Sequence, residues 1–349
     1  MLAVDQGRAS VMRAYVLERY GDAECARLTS APLPRPAPNE VLVRVAAAGL
    51  NPVDYKIRAG KLRPVTRFPL PVVLGNELSG TVTECGSDVR GFVPGDRVCA
   101  RVAKERLGAF AEFAAVDVAC AAKLPATLDF EHAAALPLAG LTALQCLRDE
   151  IKLTPGQHLL IAGGAGGVGT FAIPLAKHMG ATVWTTASSA GSELVRRLGA
   201  DHVIDYRSAW HAEHARRFDA VLDLVGGKEL GALFGVLKAG RTLVSVGGVP
   251  EPQTARKDLN RGGWLAFLFW LASFRVRAAA RRQGAGYRYL FMHPSGSELA
   301  ELLDLVERGA LPITLDRVFD FKDIAEAMAY LEQGRAKGKV VVSMDSAGP

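Results

Sequence analysis

Hydrophobic and polar positions alternate in two different rhythms along this chain. From residue 12 to about residue 136 the apolar runs are short and separated by Gly/Pro turns. The pattern begins with MRAYVLERYG (12–21), and after a proline-rich connector, APLPRPAPNE (31–40), comes VLVRVAAAGL (41–50). GTVTECGSDV (80–89), VPGDRVCARV (93–102) and GAFAEFAAV (108–116) follow. Turn signals every ten or so residues between such runs predict an all-β region, with no helix of any length before Phe130. Residues 1–11 read as a leader outside the fold.

The rhythm changes at Asp129. DFEHAAALPLAGLTALQCLRD (129–149) has an acidic first turn and apolar spacing of three and four, which predicts helices. Strand and helix then alternate: QHLLIAG (157–163) and VGTFAIPLAKHMG (168–180), then ATVWTTAS (181–188) and GSELVRRLGA (191–200). HVIDY (202–206), FDAVLDLVG (218–226) and RTLVSVGG (241–248) are further strands. Apolar strands alternating with amphipathic helices predict a parallel sheet covered on both faces. Helix 297–309, strand 316–321, helix 323–334 and strand 339–344 close the pattern. The fold class is therefore α/β, with a β domain joined to a doubly wound parallel-sheet domain.

Residues 161–171 (IAGGAGGVGTF) hold five glycines in eleven positions. The run from Gly164 to Gly169 (Gly164, Ala165, Gly166, Gly167, Val168, Gly169) is G-x-G-x-x-G between a predicted strand and a predicted helix. In that context it is a dinucleotide fingerprint. Its glycines allow a tight turn, close approach of a pyrophosphate, and close packing of helix on strand, while helix-start N–H groups face the phosphates. The same stretch has the G-x-x-x-x-G spacing of a P-loop, but Thr170-Phe171 stands where Lys-Ser/Thr is required. NAD binding wants a carboxylate about 20 residues past the glycines, and none occurs from residue 182 to 192. Ser188 and Ser189 end the second strand, and Tyr206 and Arg207 end the third. Hydroxyls and a cation there favour NADPH, although Ser188 and Ser189 would also serve as helix caps.

Composition narrows the class. Of 349 residues, 49% are hydrophobic and 22% charged, as in a globular protein, and the net charge is a modest +6. The densest basic run (275–282) lacks the interleaved aromatics of a nucleic-acid surface and reads as a solvated or phosphate-adjacent face. Five scattered cysteines without C-x-x-C argue against a disulfide framework or a cysteine-rich zinc site and fit a reducing, cytoplasmic setting. WLAFLFWLASF (264–274) is too short to span a bilayer, which takes ~20 residues. It predicts a buried helix or an oligomer contact. His211 and His214 form H-x-x-H without a third ligand and read as surface residues.

The ordered motifs GLNPVDYKIRAG (49–60), GNELSGTV (75–82), LAGLTA (138–143), GGAGGVG (163–169), LGADHVIDY (198–206) and GKVVV (338–342) carry a resemblance running from residue 12 to 344. The chain resembles the medium-chain dehydrogenase/reductase superfamily, in particular the zinc-free quinone oxidoreductases related to zeta-crystallin. The resemblance implies a GroES-like β domain (12–138 and 288–349), a Rossmann domain (139–287), an active cleft between them and a homodimer. The Rossmann strand around 242–248 is the expected dimer edge. It also implies no zinc, because Asn51 and Asn76 stand where zinc-dependent relatives carry cysteine and histidine, and their four-cysteine loop is missing. Asn51, Asp54 and Lys56 become candidate catalytic residues. Thr142, Gly247, Gly248 and Lys339 join the fingerprint glycines as candidate cofactor contacts. Gly164 and Pro174 depart from the family pattern, and Pro174 is expected to kink its helix.

The activity so implied is NADPH-dependent hydride transfer to a quinone or an α,β-unsaturated carbonyl. A reductase of alkenals or enoyl thioesters, or a non-catalytic NADPH-binding protein, stays open as an alternative.

Overall fold

The structure is a computed structural model that describes residues 11–344; the expected leader lies outside the described residues except for its last residue, Val11. The chain divides into two compact units. The first runs through Leu138 and includes Pro294–Leu303 and the chain from Leu315. The second comprises Ala139–His293 and Asp304–Thr314.

In the first unit, β1 (Val11–Leu17) pairs antiparallel with β2 (Ala26–Pro32) and β4 (Val72–Val73) in a small sheet. The larger sheet is built on β3 (Glu40–Leu50), β5 (Glu77–Cys85), β6 (Arg97–Arg101), β7 (Phe113–Asp117) and β8 (Ala121–Lys123). Alternating apolar positions send Val43, Val45, Leu78, Val82 and Val98 into one core with Tyr15 and Phe110. A helix that the sequence pattern does not disclose, α1 (Pro52–Arg58), follows β3 directly. Proline at its first position supplies the fixed φ that a helix start accepts. Asn51 and Asp54 close a capping box around that start. The helix α2 (Phe130–Ala135) completes this stretch, with Asp129 accepting a hydrogen bond from the His132 N–H.

The second unit opens with α3 (Pro137–Leu144), most of which belongs to it. Its sheet is wholly parallel, and its strands are β9 (His158–Ala162), β10 (Thr182–Ala187), β11 (His202–Asp205), β12 (Ala220–Asp223), β13 (Thr242–Ser245) and β14 (Gly286–Tyr289). The spatial order is β11-β10-β9-β12-β13-β14, the doubly wound order in which the chain reverses direction between β9 and β12. Helices α4 (Gly169–His178), α5 (Ser189–Arg197) and α6 (Leu230–Val236) are its connections, and α7 (Trp264–Ala272) and α8 (Phe274–Arg282) precede β14. Helix α4 continues through Pro174.

Two expectations are corrected here. Residues 242–248 are not a sheet edge, because β14 pairs outside β13; the open edges are β11 and β14. The second unit also extends past 287 to His293, since Arg288 lies within β14. The four-residue strand GYRY is too short for periodicity to reveal it.

The chain then re-enters the first unit at Pro294, passes through the second again over Asp304–Thr314, and returns at Leu315. Helix α9 (Gly296–Glu307) is followed by β15 (Leu315–Asp320), α10 (Ile324–Glu332) and β16 (Lys339–Ser343). β16 pairs antiparallel with β3, Val340 opposite Leu50, and completes the larger sheet.

Candidate functional site

The first unit brings several predicted residues into one buried polar network. The Asn51 N–H donates to Asp54 Oδ2 (2.7 Å), and the Asn51 side-chain amide donates to Glu77 Oε1 (2.6 Å). The Asn76 amide donates to Asp54 Oδ1 (2.6 Å). The Lys339 ammonium donates to Leu50 O (3.0 Å), Asn51 Oδ1 (2.6 Å) and Glu77 Oε1 (2.7 Å). Lys339 was expected to contact a cofactor; instead its three donors are taken inside the protein. Gly49, opposite Glu77 in the β3–β5 ladder, makes room for that carboxylate, because a Cβ there would sit 2.4 Å from Glu77 Oε1. Arg101, across the ladder from Glu77 on β6, adds a second buried cation.

Burial lifts the Asp54 carboxyl to about 7, against the Asn76 and Asn51 hydrogen bonds that pull it down. Glu77 was not singled out from sequence. Its signal was an acid at the start of a strand, next to Asn76.

Lys56 lies on α1 and takes no part in this network. Its side chain is half-buried and makes no ion pair among the described residues. Burial, and then the nearby Lys61, lower its pKa, which makes the ammonium a better proton donor than a solvated lysine.

The second unit holds the glycine turn at the reversal point of its sheet, between β9 and α4. The glycines there have different reasons. A Cβ on Gly164 would lie 2.0 Å from Thr185 Oγ1, and Thr185 is fixed by donating to Ile161 O (2.8 Å). This pair accounts for glycine at 164 where the family pattern has alanine or serine. A Cβ on Gly169 would meet the carbonyl oxygens of Gly164 and Gly163 at 2.5 and 2.6 Å. A Cβ on Gly166 would meet nothing nearer than Gly163 O at 3.5 Å, an ordinary contact. The packing of the chain itself therefore does not require glycine at 166, and the backbone there is left open to close approach. Helix α4 starts there without a side-chain cap. A pyrophosphate fits such a cradle.

Ser188 is the N-cap residue of α5, yet its side chain makes no capping bond, so capping does not occupy the hydroxyl. Ser189 and Tyr206 are exposed. Arg207 is tied at 2.9 and 2.6 Å to the carboxylate of Asp205, which the guanidinium holds down at about 2. Although residues 182–192 hold no carboxylate, Asp205 ends β11 beside Ala187 of β10, so a carboxylate does lie next to the residues expected to select the cofactor. Thr142 is buried on α3.

Gly247 packs on the Val225–Gly226 backbone, and the Gly248 N–H donates to Ser245 Oγ (2.8 Å). Ser245 donates in turn to Asp223 Oδ2 (2.6 Å), whose other oxygen accepts the Gly226 N–H (2.8 Å). Asp223 and Ser245 thereby order both loops at the carboxyl ends of β12 and β13. The sequence offered only an acid and a hydroxyl at strand ends, 22 residues apart, to suggest it. His211 and His214 are half-buried and packed against tryptophan rings, His211 stacked on Trp210 with centroids 3.9 Å apart.

Residues 37–126 match the alcohol dehydrogenase GroES-like domain family, and residues 198–342 match a family described as zinc-binding dehydrogenase. The zebrafish (Danio rerio) protein NAD(P)H oxidoreductase RTN4IP1, mitochondrial, is 36% identical over 365 residues, which cover 97% of this chain and 92% of that one. The chain belongs to the medium-chain dehydrogenase/reductase superfamily, as an oxidoreductase of the zinc-free quinone oxidoreductase type. This oxidoreductase is also 34% identical to the NADPH-dependent alkenal/one oxidoreductase, chloroplastic, of Arabidopsis thaliana, over 95% of this chain and 79% of the relative. The solved quinone oxidoreductase of Coxiella burnetii superposes with a TM-score of 0.83 at 32% identity, over 96% of this chain and all of that one.

The zinc named in one family description does not fit the residues present. Asn51 and Asn76 commit their amide N–H donors to Glu77 and Asp54, and Lys339 places an ammonium against Asn51. Among the described residues no group of three or more His, Cys, Asp or Glu side chains is arranged to hold a metal.

Proposed function

We propose that this oxidoreductase reduces a quinone or an α,β-unsaturated carbonyl with NADPH. The observation that carries the reading is the network around Asn51. Amides, carboxylates and an ammonium fill the position where zinc-dependent relatives polarise a carbonyl, so the acceptor must already be electrophilic. Bound NADPH supplies the hydride. The chain's own residues bind and orient the cofactor and supply the proton side of the reduction.

The turn 164–169 and the start of α4 would hold the pyrophosphate. Ser188, Ser189 and Tyr206 would hold the 2′-phosphate, with Arg207, already paired with Asp205, shared between the two. The Lys56 ammonium, half-buried and without a carboxylate partner among the described residues, stabilises charge developing on the acceptor oxygen and donates a proton to it. The names of the relatives support the cofactor and both acceptor classes.

The test is steady-state oxidation of NADPH and NADH, side by side, against a panel of quinones, alkenals and enoyl thioesters. Turnover of quinones or enones with NADPH favoured is the expected result. Binding of NADPH without turnover of any acceptor would make the chain a nucleotide-binding protein instead.

A further inference from the structure

Helix α7 and the start of α8 expose an apolar face that the redox chemistry does not use. Trp264, Phe267, Leu268 and Leu271 recur at i, i+3, i+4 and i+7, and Trp270 and Phe274 widen the stripe. All six are exposed, from 41% at Leu268 to 66% at Trp264; Leu265, Ala266 and Phe269 are the side chains of α7 that turn inward. The Phe267 and Trp270 rings stack at 6.1 Å, and Phe274 lies 6.3 Å beyond Trp270. The sequence led us to expect a buried helix or an oligomer contact; within the chain, burial is what this patch lacks. Six large side chains clustered at the surface mark an interaction site rather than ordinary scatter.

Charge says what covers it. Residues 259–297 contain no Asp or Glu, while α8, next in sequence, carries Arg275, Arg277, Arg281 and Arg282. Arg277 lies over the Trp270 ring at 5.6 Å and donates to Trp270 O. A second copy docked face to face would set these arginines against one another with no carboxylate in the segment to answer them. An anionic bilayer surface answers both features, with acyl chains for the rings and phosphates for the guanidiniums. At nine residues, about 14 Å by helical rise, α7 is too short to cross a bilayer and suited to lying in its interface.

We propose that α7 and α8 dock this protein on an anionic phospholipid surface, the six apolar side chains entering the interface and Arg275, Arg281 and Arg282 meeting the headgroups.

The experiment is flotation of the full chain with phosphatidylcholine vesicles, with and without roughly a third phosphatidylglycerol, at low and high salt. The protein is expected to float with the anionic vesicles only, less at high salt, with a blue shift of tryptophan emission that the Trp264→Phe/Trp270→Phe variant lacks. Phe267→Asp/Leu271→Asp should abolish flotation and leave NADPH oxidation unchanged. Arg281→Glu/Arg282→Glu, which leaves the apolar stripe intact, should weaken it by about tenfold or more. Failure to float, equal flotation with neutral vesicles, or flotation indifferent to both variants overturns the proposal. So does light scattering in which Phe267→Asp/Leu271→Asp converts a dimer to a monomer, since a second copy would then cover the face.

Discussion

Two glycines in the same turn serve different masters, and substitution separates them. Gly164→Ala forces a methyl into Thr185 Oγ1, a buried side chain held by Ile161. Overpacking of that kind costs about 1–3 kcal/mol, so denaturant unfolding should show a clear loss of stability. Gly166→Ala meets only an ordinary contact and needs no positive φ. Its stability should stay near wild type while NADPH affinity falls by roughly tenfold or more, as the methyl keeps the phosphates off the backbone. If Gly166→Ala binds NADPH normally, the turn is not the phosphate cradle. At the other end of the nucleotide, Ser188→Asp should invert the cofactor preference by repelling the 2′-phosphate and accepting from the ribose hydroxyl. Because Arg207 is shared with Asp205, the wild-type preference for NADPH should be about tenfold, one or two charge-assisted bonds. Fluorescence titration with both nucleotides reads this, and an unchanged ratio in the variant would place the 2′-group elsewhere.

At the scale of elements, the strand–turn–helix of β9 and α4 was readable because glycine spacing and apolar rhythm agree over twenty residues. Helix α1 was not, because its seven residues sit between a strand and a turn, and its identity rests on the Asn51–Asp54 capping box rather than on periodicity. The partnership of Asn51 and Asp54 with Asn76, Glu77 and Lys339 was hidden for another reason: its members come from α1 and its N-cap, from β5 and the residue before it, and from β16, far apart in sequence. That network makes a prediction about acidity. Asp54 is raised from 3.8 to about 7 in the fold, so the folded state holds its proton where the unfolded chain has lost it. The resulting stability is fully present below about pH 4 and is lost as pH rises through about 7. Asp54→Asn removes this slope, and also removes one acceptor from the start of α1, at about 1 kcal/mol. Urea titrations from pH 4 to pH 8 should therefore show a shallower decline for the variant; parallel curves would mean that Asp54 is not the group responsible.

Over the whole molecule, the sequence motifs anticipated the division into a β unit and a doubly wound unit, while boundaries defined by short strands escaped them. The apolar run at 264–274 shows the limit of composition: it announces a helix but cannot say which side of that helix the protein covers. The same scale carries the metal prediction. Elemental analysis of the purified protein should find no stoichiometric zinc, and chelator should leave turnover intact, because Lys339 and Arg101 place two buried cations around Asn51 and Glu77. About one zinc per chain would require that network to be rebuilt.

The pairing of β16 with β3 joins residues nearly 300 positions apart, Val340 to Leu50. Its consequence concerns the order of assembly. Every strand of the parallel sheet has left the ribosome before β16 has, so the second unit can close first, while the first unit waits for a strand from the far end of the chain. Until Lys339 arrives, Glu77 lies in a half-built interior without its ammonium, a cost that postpones consolidation around Asn51. Contacts of such long range slow folding, and a nascent chain halted before residue 339 would carry a finished nucleotide-binding sheet beside a proximal unit still open to proteolysis.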